Sequence, residues 1–93
     1  MSMHPLELAF GRRLAAIRAV RRISLRALAQ QSGVSHNAIA TVERGQHSIS
    51  MGKAAALAEA LGWSLFDFLG DGPGGPLDEI RDGQPADGGG ARG

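Results

Sequence analysis

Leu6, Phe10, Leu14 and Ile17 recur at intervals of three or four residues, the period that lines up side chains along one face of an α-helix. With Pro5 suited to a first turn, the spacing predicts a helix over Pro5 to Val20. Ser24 precedes the next apolar stretch and can accept a hydrogen bond from an unpaired first-turn amide, so a second helix is expected over Leu25 to Gln31 with Leu28 and Ala29 inward. Ser32-Gly33-Val34 reads as a tight turn, and Ser35 opens a third helix that runs to Glu43 with Ile39 and Val42 inward. Gly45 follows as a C-terminal cap. Ser50 begins a fourth helix through Ala54, Leu57, Ala58 and Leu61, stopped at Gly62. Ser64, with Asp67 three residues later, starts a short fifth that holds Leu65, Phe68 and Leu69.

Nothing alternates with a period of two, and the β-branched residues stand singly, so no strand is predicted. The expectation is an all-α domain of five helices over residues 5–69. Nine of the fourteen glycines fall in residues 70–93. That Gly/Pro/Asp-rich segment is expected to be a disordered tail, too polar to offset its ordering entropy by burial. Leu77 to Arg81 could form one helical turn on a partner.

Ninety-three residues allow one small core, and the lack of cysteine removes disulfides and thiolate metal sites as supports. His4, His36 and His47 have no metal-ligand spacing with a carboxylate cluster, and no glycine-rich phosphate loop follows a strand. No cofactor and no catalysis are expected. No apolar run approaches the ~20 residues of a membrane span, and the N-terminus lacks the order of a secretion signal, so a soluble cytoplasmic chain is expected. The formal net charge of +1 conceals a division. Residues 1–69 carry eight Lys or Arg against four Asp or Glu, whereas residues 70–93 carry two against five. Arg12, Arg13, Arg18, Arg21, Arg22 and Arg26 crowd together with no acidic residue between Glu7 and Glu43. Such a field attracts phosphates, although a solvated helix face would have the same composition.

The stretch from Ser24 to Glu43 separates these cases. Ala29 is small where two helices must approach, Gly33 supplies a left-handed turn, and Val34, Ile39 and Val42 fill the angle between the helices. The run Ser-Leu-Arg-Ala-Leu-Ala-Gln-Gln-Ser-Gly-Val-Ser-His-Asn-Ala-Ile-Ala-Thr-Val-Glu-Arg-Gly from Ser24 to Gly45 closely resembles the helix-turn-helix of the Cro/phage-repressor, or Xre, family of DNA-binding domains. Ile49-Ser50, Ala58 to Gly62 and Ser64-Leu65 extend the likeness over about Leu6 to Leu69. The resemblance implies a five-helix, lambda-repressor-like fold that binds double-stranded DNA as a sequence-specific transcriptional regulator, a repressor rather than an activator. Two positions depart from the family: Leu25 stands where many members have a glutamine that touches DNA, and Ile49 where many have proline.

On that resemblance, the third helix enters the major groove with its N-terminal turn foremost. His36, Asn37, Ala40 and Thr41 are then the base-contact candidates, with Asn37 able to donate to and accept from adenine at once. Arg26 and Arg44 are the first choices for phosphate; Ser24, Ser35 and Ser48 could also reach it, with capping favoured for the first two. Arg12, Arg13, Arg21 and Arg22 are weaker phosphate candidates. Arg18 and Glu43 are expected to form a salt bridge between the first and third helices. A homodimer on a two-fold site is expected, with Trp63 and Phe66 as interface candidates. The rival expectation is a protein-interaction module, such as an antitoxin, gripping a partner protein through its C-terminal region.

Overall fold

The computed structural model describes residues 4–83. Six helices follow in order: α1 (Pro5–Arg21), α2 (Leu25–Ser32), α3 (His36–Glu43), α4 (Met51–Ala60), α5 (Leu65–Leu69) and α6 (Pro76–Asp82). The described residues contain no strand. Local chemistry sets the starts. The hydroxyls of Ser24, Ser35 and Ser64 accept the amides of Ala27, Ala38 and Asp67 at 3.0 to 3.1 Å. Ser50 does the same for Lys53 at 3.3 Å. At α1 the cap is His4: its Nδ1 accepts the Leu6 amide while Glu7 Oε1 accepts the His4 amide, both at 3.0 Å. This reciprocal pair satisfies two amides that the first turn leaves unpaired.

Phe10, Leu14 and Ile17 of α1 are buried with Leu28, Val34, Ile39, Val42, Ala54, Leu57, Ala58, Leu61 and Phe68 in a single core. Removing a side chain such as Leu or Phe from water stabilises the fold by about 1.5–3 kcal/mol. Phe68 sits at its centre, edge-on to Phe10 at 5.2 Å. Leu6, expected on the same inward face, is 55% exposed. It lies in the first turn of α1, at the open end of a cleft between α1, α4 and α5.

Two contacts fix α1 against α3. Gly11 is buried at their crossing, where a Cβ would collide with the Val42 carbonyl oxygen. No side chain fits between the two backbones there. Farther along, Arg18 donates from Nε and Nη2 to the two Glu43 carboxylate oxygens at 2.8 and 2.9 Å, and from Nη1 to the Ile23 carbonyl at 3.0 Å. Donation to the Glu43 carboxylate raises the Arg18 pKa above its usual value; desolvation by burial opposes this, and the carboxylate charge adds to the rise. The pair is part-buried, so removing one partner costs less than the ~3–5 kcal/mol of a deeply buried pair.

Residues 70–83 differ from expectation. In place of a disordered segment, Gly70 to Gly75 turn the chain back and α6 packs on α1 and α5. Glu79 is 1% exposed and accepts Nε and Nη2 of Arg21 at 2.7 and 2.9 Å. Arg21 also donates to the Leu61 carbonyl at the end of α4 and lies over the Trp63 ring at 5.0 Å. Trp63 Nε1 donates to the Gly74 carbonyl, and Arg13 bridges the carbonyls of Phe68 and Gly70 and the Asp71 carboxylate. The entropy of ordering the glycines is offset by these long-range bonds, which composition cannot register. Pro76 in the first turn, Asp78 and Glu79 near the start, Arg81 near the end and Gly83 as a stop were local signs of a helix. Residues 84–93, the remainder of the expected tail, lie outside the described residues.

Gly11→Ala gains up to ~1 kcal/mol in helix propensity but forces two backbones apart, an overpacking cost of ~1–3 kcal/mol that a rigid carbonyl pushes to the upper end. We expect a melting temperature lower by roughly 5–15 °C; a variant as stable as the parent would contradict the close approach. A chain ending at Leu69 leaves Arg21 without Glu79 and uncovers Trp63. It should melt at least ~10 °C below a chain ending at Gly83, and equal melting would mean that α6 adds nothing to the fold.

Candidate nucleic-acid interface

The α2–turn–α3 unit is built outward from its buried side. Leu28, Val34, Ile39 and Val42 are all within 3% of complete burial, which fixes the rotation of α3 about its own axis. Gly33, at φ 78, closes α2 in the left-handed conformation that the sharp turn requires. A residue placed on the face opposite Ile39 and Val42 must then face solvent.

His36 and Asn37, the first two residues of α3, are exposed. Ala40 and Thr41, one turn on, are half-buried. The Thr41 hydroxyl donates to the Ala38 carbonyl at 3.1 Å, so its methyl and the acceptor side of its oxygen remain to offer a ligand. The N-terminal turn of α3 therefore presents an imidazole and a carboxamide, with small apolar groups behind them. An asparagine amide can match the paired donor and acceptor on an adenine edge.

The cations sort by contact, which sequence could not reveal. Arg26, in the first turn of α2, and Arg44, directly after α3, are exposed. Arg26 has no ion-pair partner among the described residues, and Arg44 donates only to the Gln46 side chain, at 3.3 Å. Arg26 and His36 line one shallow depression with Gln30 and Ser35. Arg12 and Arg22 are exposed as well. Arg13 and Arg21, named with them as weaker phosphate candidates, are instead engaged within the fold by Asp71 and Glu79. Ser24 and Ser35 accept amides as caps, which leaves each hydroxyl proton available for donation. Ser48 is exposed in the α3–α4 loop.

The two departures from the family pattern have a packing reason, since Leu25 and Ile49 both rest against the core. Trp63 and Phe66 separate. Trp63 is half-buried, bonded to Gly74 and stacked under Arg21, whereas Phe66 is 88% exposed. Among the described residues, no group of three or more His, Cys, Asp or Glu could hold a metal ion, and no helix is long and apolar enough to cross a membrane.

A search of curated proteins and a search of solved structures each returned no match. The family model described as helix-turn-helix domain matches residues 9–65, a span that holds the Arg18–Glu43 bridge, both motif helices and the serine-capped starts of α4 and α5. The chain belongs to the helix-turn-helix domain family.

Proposed function

We propose that this protein is a sequence-specific, double-stranded DNA-binding transcriptional regulator of the Xre type, which acts as a repressor in the cytoplasm by occupying its operator. The observation that carries the proposal is the pairing of a fixed inner face with a free outer one on α3. Ile39 and Val42 are locked in the core while His36 and Asn37 stand in solvent, flanked along the chain by the exposed Arg26 and Arg44. In this reading His36, Asn37, Ala40 and Thr41 touch base edges, each good bidentate pair giving ~1–3 kcal/mol of discrimination. Arg26 and Arg44, with Ser24, Ser35 and Ser48 as lesser donors, hold phosphates and supply most of the affinity without reading sequence. Binding is the whole mechanism, with no catalytic step.

A homodimer suits the reading, because two copies on a two-fold operator double the contacts when half-sites lie about one helical turn apart. Support comes from the three large exposed apolar side chains among the described residues, Leu6, Met51 and Phe66. Leu6 and Met51 border an apolar cleft of about 210 Å³ that Phe10, Ile49, Leu65 and Leu69 also line. We place the second copy there and at Phe66, and not on Trp63. The rival reading, an antitoxin or other module gripping a partner protein through its C-terminal region, loses support over residues 70–83, because that segment is folded onto α1 in the free chain.

Selection from a pool of random duplexes tests the proposal. An enriched site should emerge. On it, Asn37→Ala should relax the preference at one base pair by ~1–3 kcal/mol, while Arg44→Ala should weaken all sequences alike and lower the salt slope by about 1. A pool that shows no enrichment would contradict sequence-specific recognition.

A further inference from the structure

Six described residues have positive φ; five are glycines, and the sixth is Arg22, at φ 58 and ψ 42. This left-handed conformation presses a Cβ toward the following carbonyl oxygen, and glycine adopts it without that clash. The turn itself is compulsory. The Ile23 amide donates to the Arg18 carbonyl at 2.9 Å, and the Ile23 carbonyl accepts Arg18 Nη1, the same guanidinium that holds Glu43. Some residue must therefore be left-handed at position 22, and the chain has arginine there. Its side chain is exposed and has no hydrogen-bond or ion-pair partner among the described residues. The fold thus takes on backbone strain for a side chain that it does not use.

The surroundings say what that side chain is for. Arg26, four residues on, is exposed and without an ionic partner among the described residues, and Ser24 lies midway between the two. The acidic residues nearest in sequence are both engaged elsewhere, Glu7 by the His4 amide and Glu43 by Arg18. The positive charge at the α1–α2 elbow is uncompensated, while Arg13 and Arg21 on the same helix are neutralised by Asp71 and Glu79. We propose that Arg22 is a DNA phosphate contact that works with Arg26 as a two-arginine grip on the duplex backbone, and that the left-handed strain is retained for this contact. The inference rests on the DNA-binding reading and raises Arg22 from one of four weaker phosphate candidates to a principal contact.

The test is made on the full chain, with a short duplex of mixed sequence titrated at several salt concentrations, beside thermal melting. Arg22→Gly should melt at or above the parent temperature, bind about threefold or more weakly near 0.1 M salt, and lower the salt slope by about 1. Arg22→Lys, which keeps the charge, should keep the slope. Unchanged affinity and slope in Arg22→Gly would overturn the phosphate contact while leaving the DNA-binding reading in place. A lower melting temperature would assign the side chain to the fold and overturn the inference as well. A parent chain with no salt-dependent duplex binding would overturn both.

Discussion

The structure depends on how α3 is held from behind. An eight-residue helix has little stability of its own, because nucleating a helix fixes several dihedrals for a single hydrogen bond. Here Ile39 and Val42 lie in the core, the Val42 carbonyl is pressed against Gly11, and Glu43 is clamped by both arms of Arg18. All three restraints act on the inner face or the C-terminal end. The N-terminal turn, capped by Ser35, packs Ala38 against the core and projects His36 and Asn37 into solvent. Rigidity at one end and availability at the other are what a helix needs if it is to probe a groove without losing entropy on contact.

Arg18 joins this clamp to the neighbouring turn. Its third nitrogen donates to the Ile23 carbonyl, so one guanidinium sets both the angle of α3 and the path of the chain into α2. The positions of Arg26 on α2 and of His36 on α3 are thereby coupled through a partly buried ion pair. Arg21 and Glu79 repeat the device at the other end of the molecule, where a bidentate pair ties α6 to α1 and a third bond reaches Leu61 at the end of α4. In each case an arginine satisfies a carboxylate and a backbone carbonyl between helices at once, which suits a small chain without disulfides.

What sequence made legible was local. A serine before each of α2 to α5, apolar spacing of three and four, and Gly33 at the turn are signals within a few residues of what they specify, and those elements lie where expected. The base-contact candidates came from the family resemblance; the positions of Ile39 and Val42 decide only which of their neighbours face outward. Signals spread over long separations stayed hidden. Glu79 and Arg21 are 58 residues apart, so α6 was masked by the glycines around it. Gly11 falls within the expected first helix, and only the fold supplies the Val42 carbonyl that requires it. Of the six arginines between positions 12 and 26, the resemblance set Arg18 and Arg26 apart; only contact separates Arg13 and Arg21, engaged within the fold, from Arg12 and Arg22, which face solvent. Leu6 kept the helical period but ran past the edge of the core.

The central claim is that the outer surface of α3 meets DNA, and mapping backbone amide resonances of the labelled protein during titration with a selected duplex tests it most directly. The proposed interface predicts that the largest shifts fall on residues 36–41, with a second group at the start of α2. Shifts confined to α5 and α6, with α3 unmoved at saturation, would contradict it.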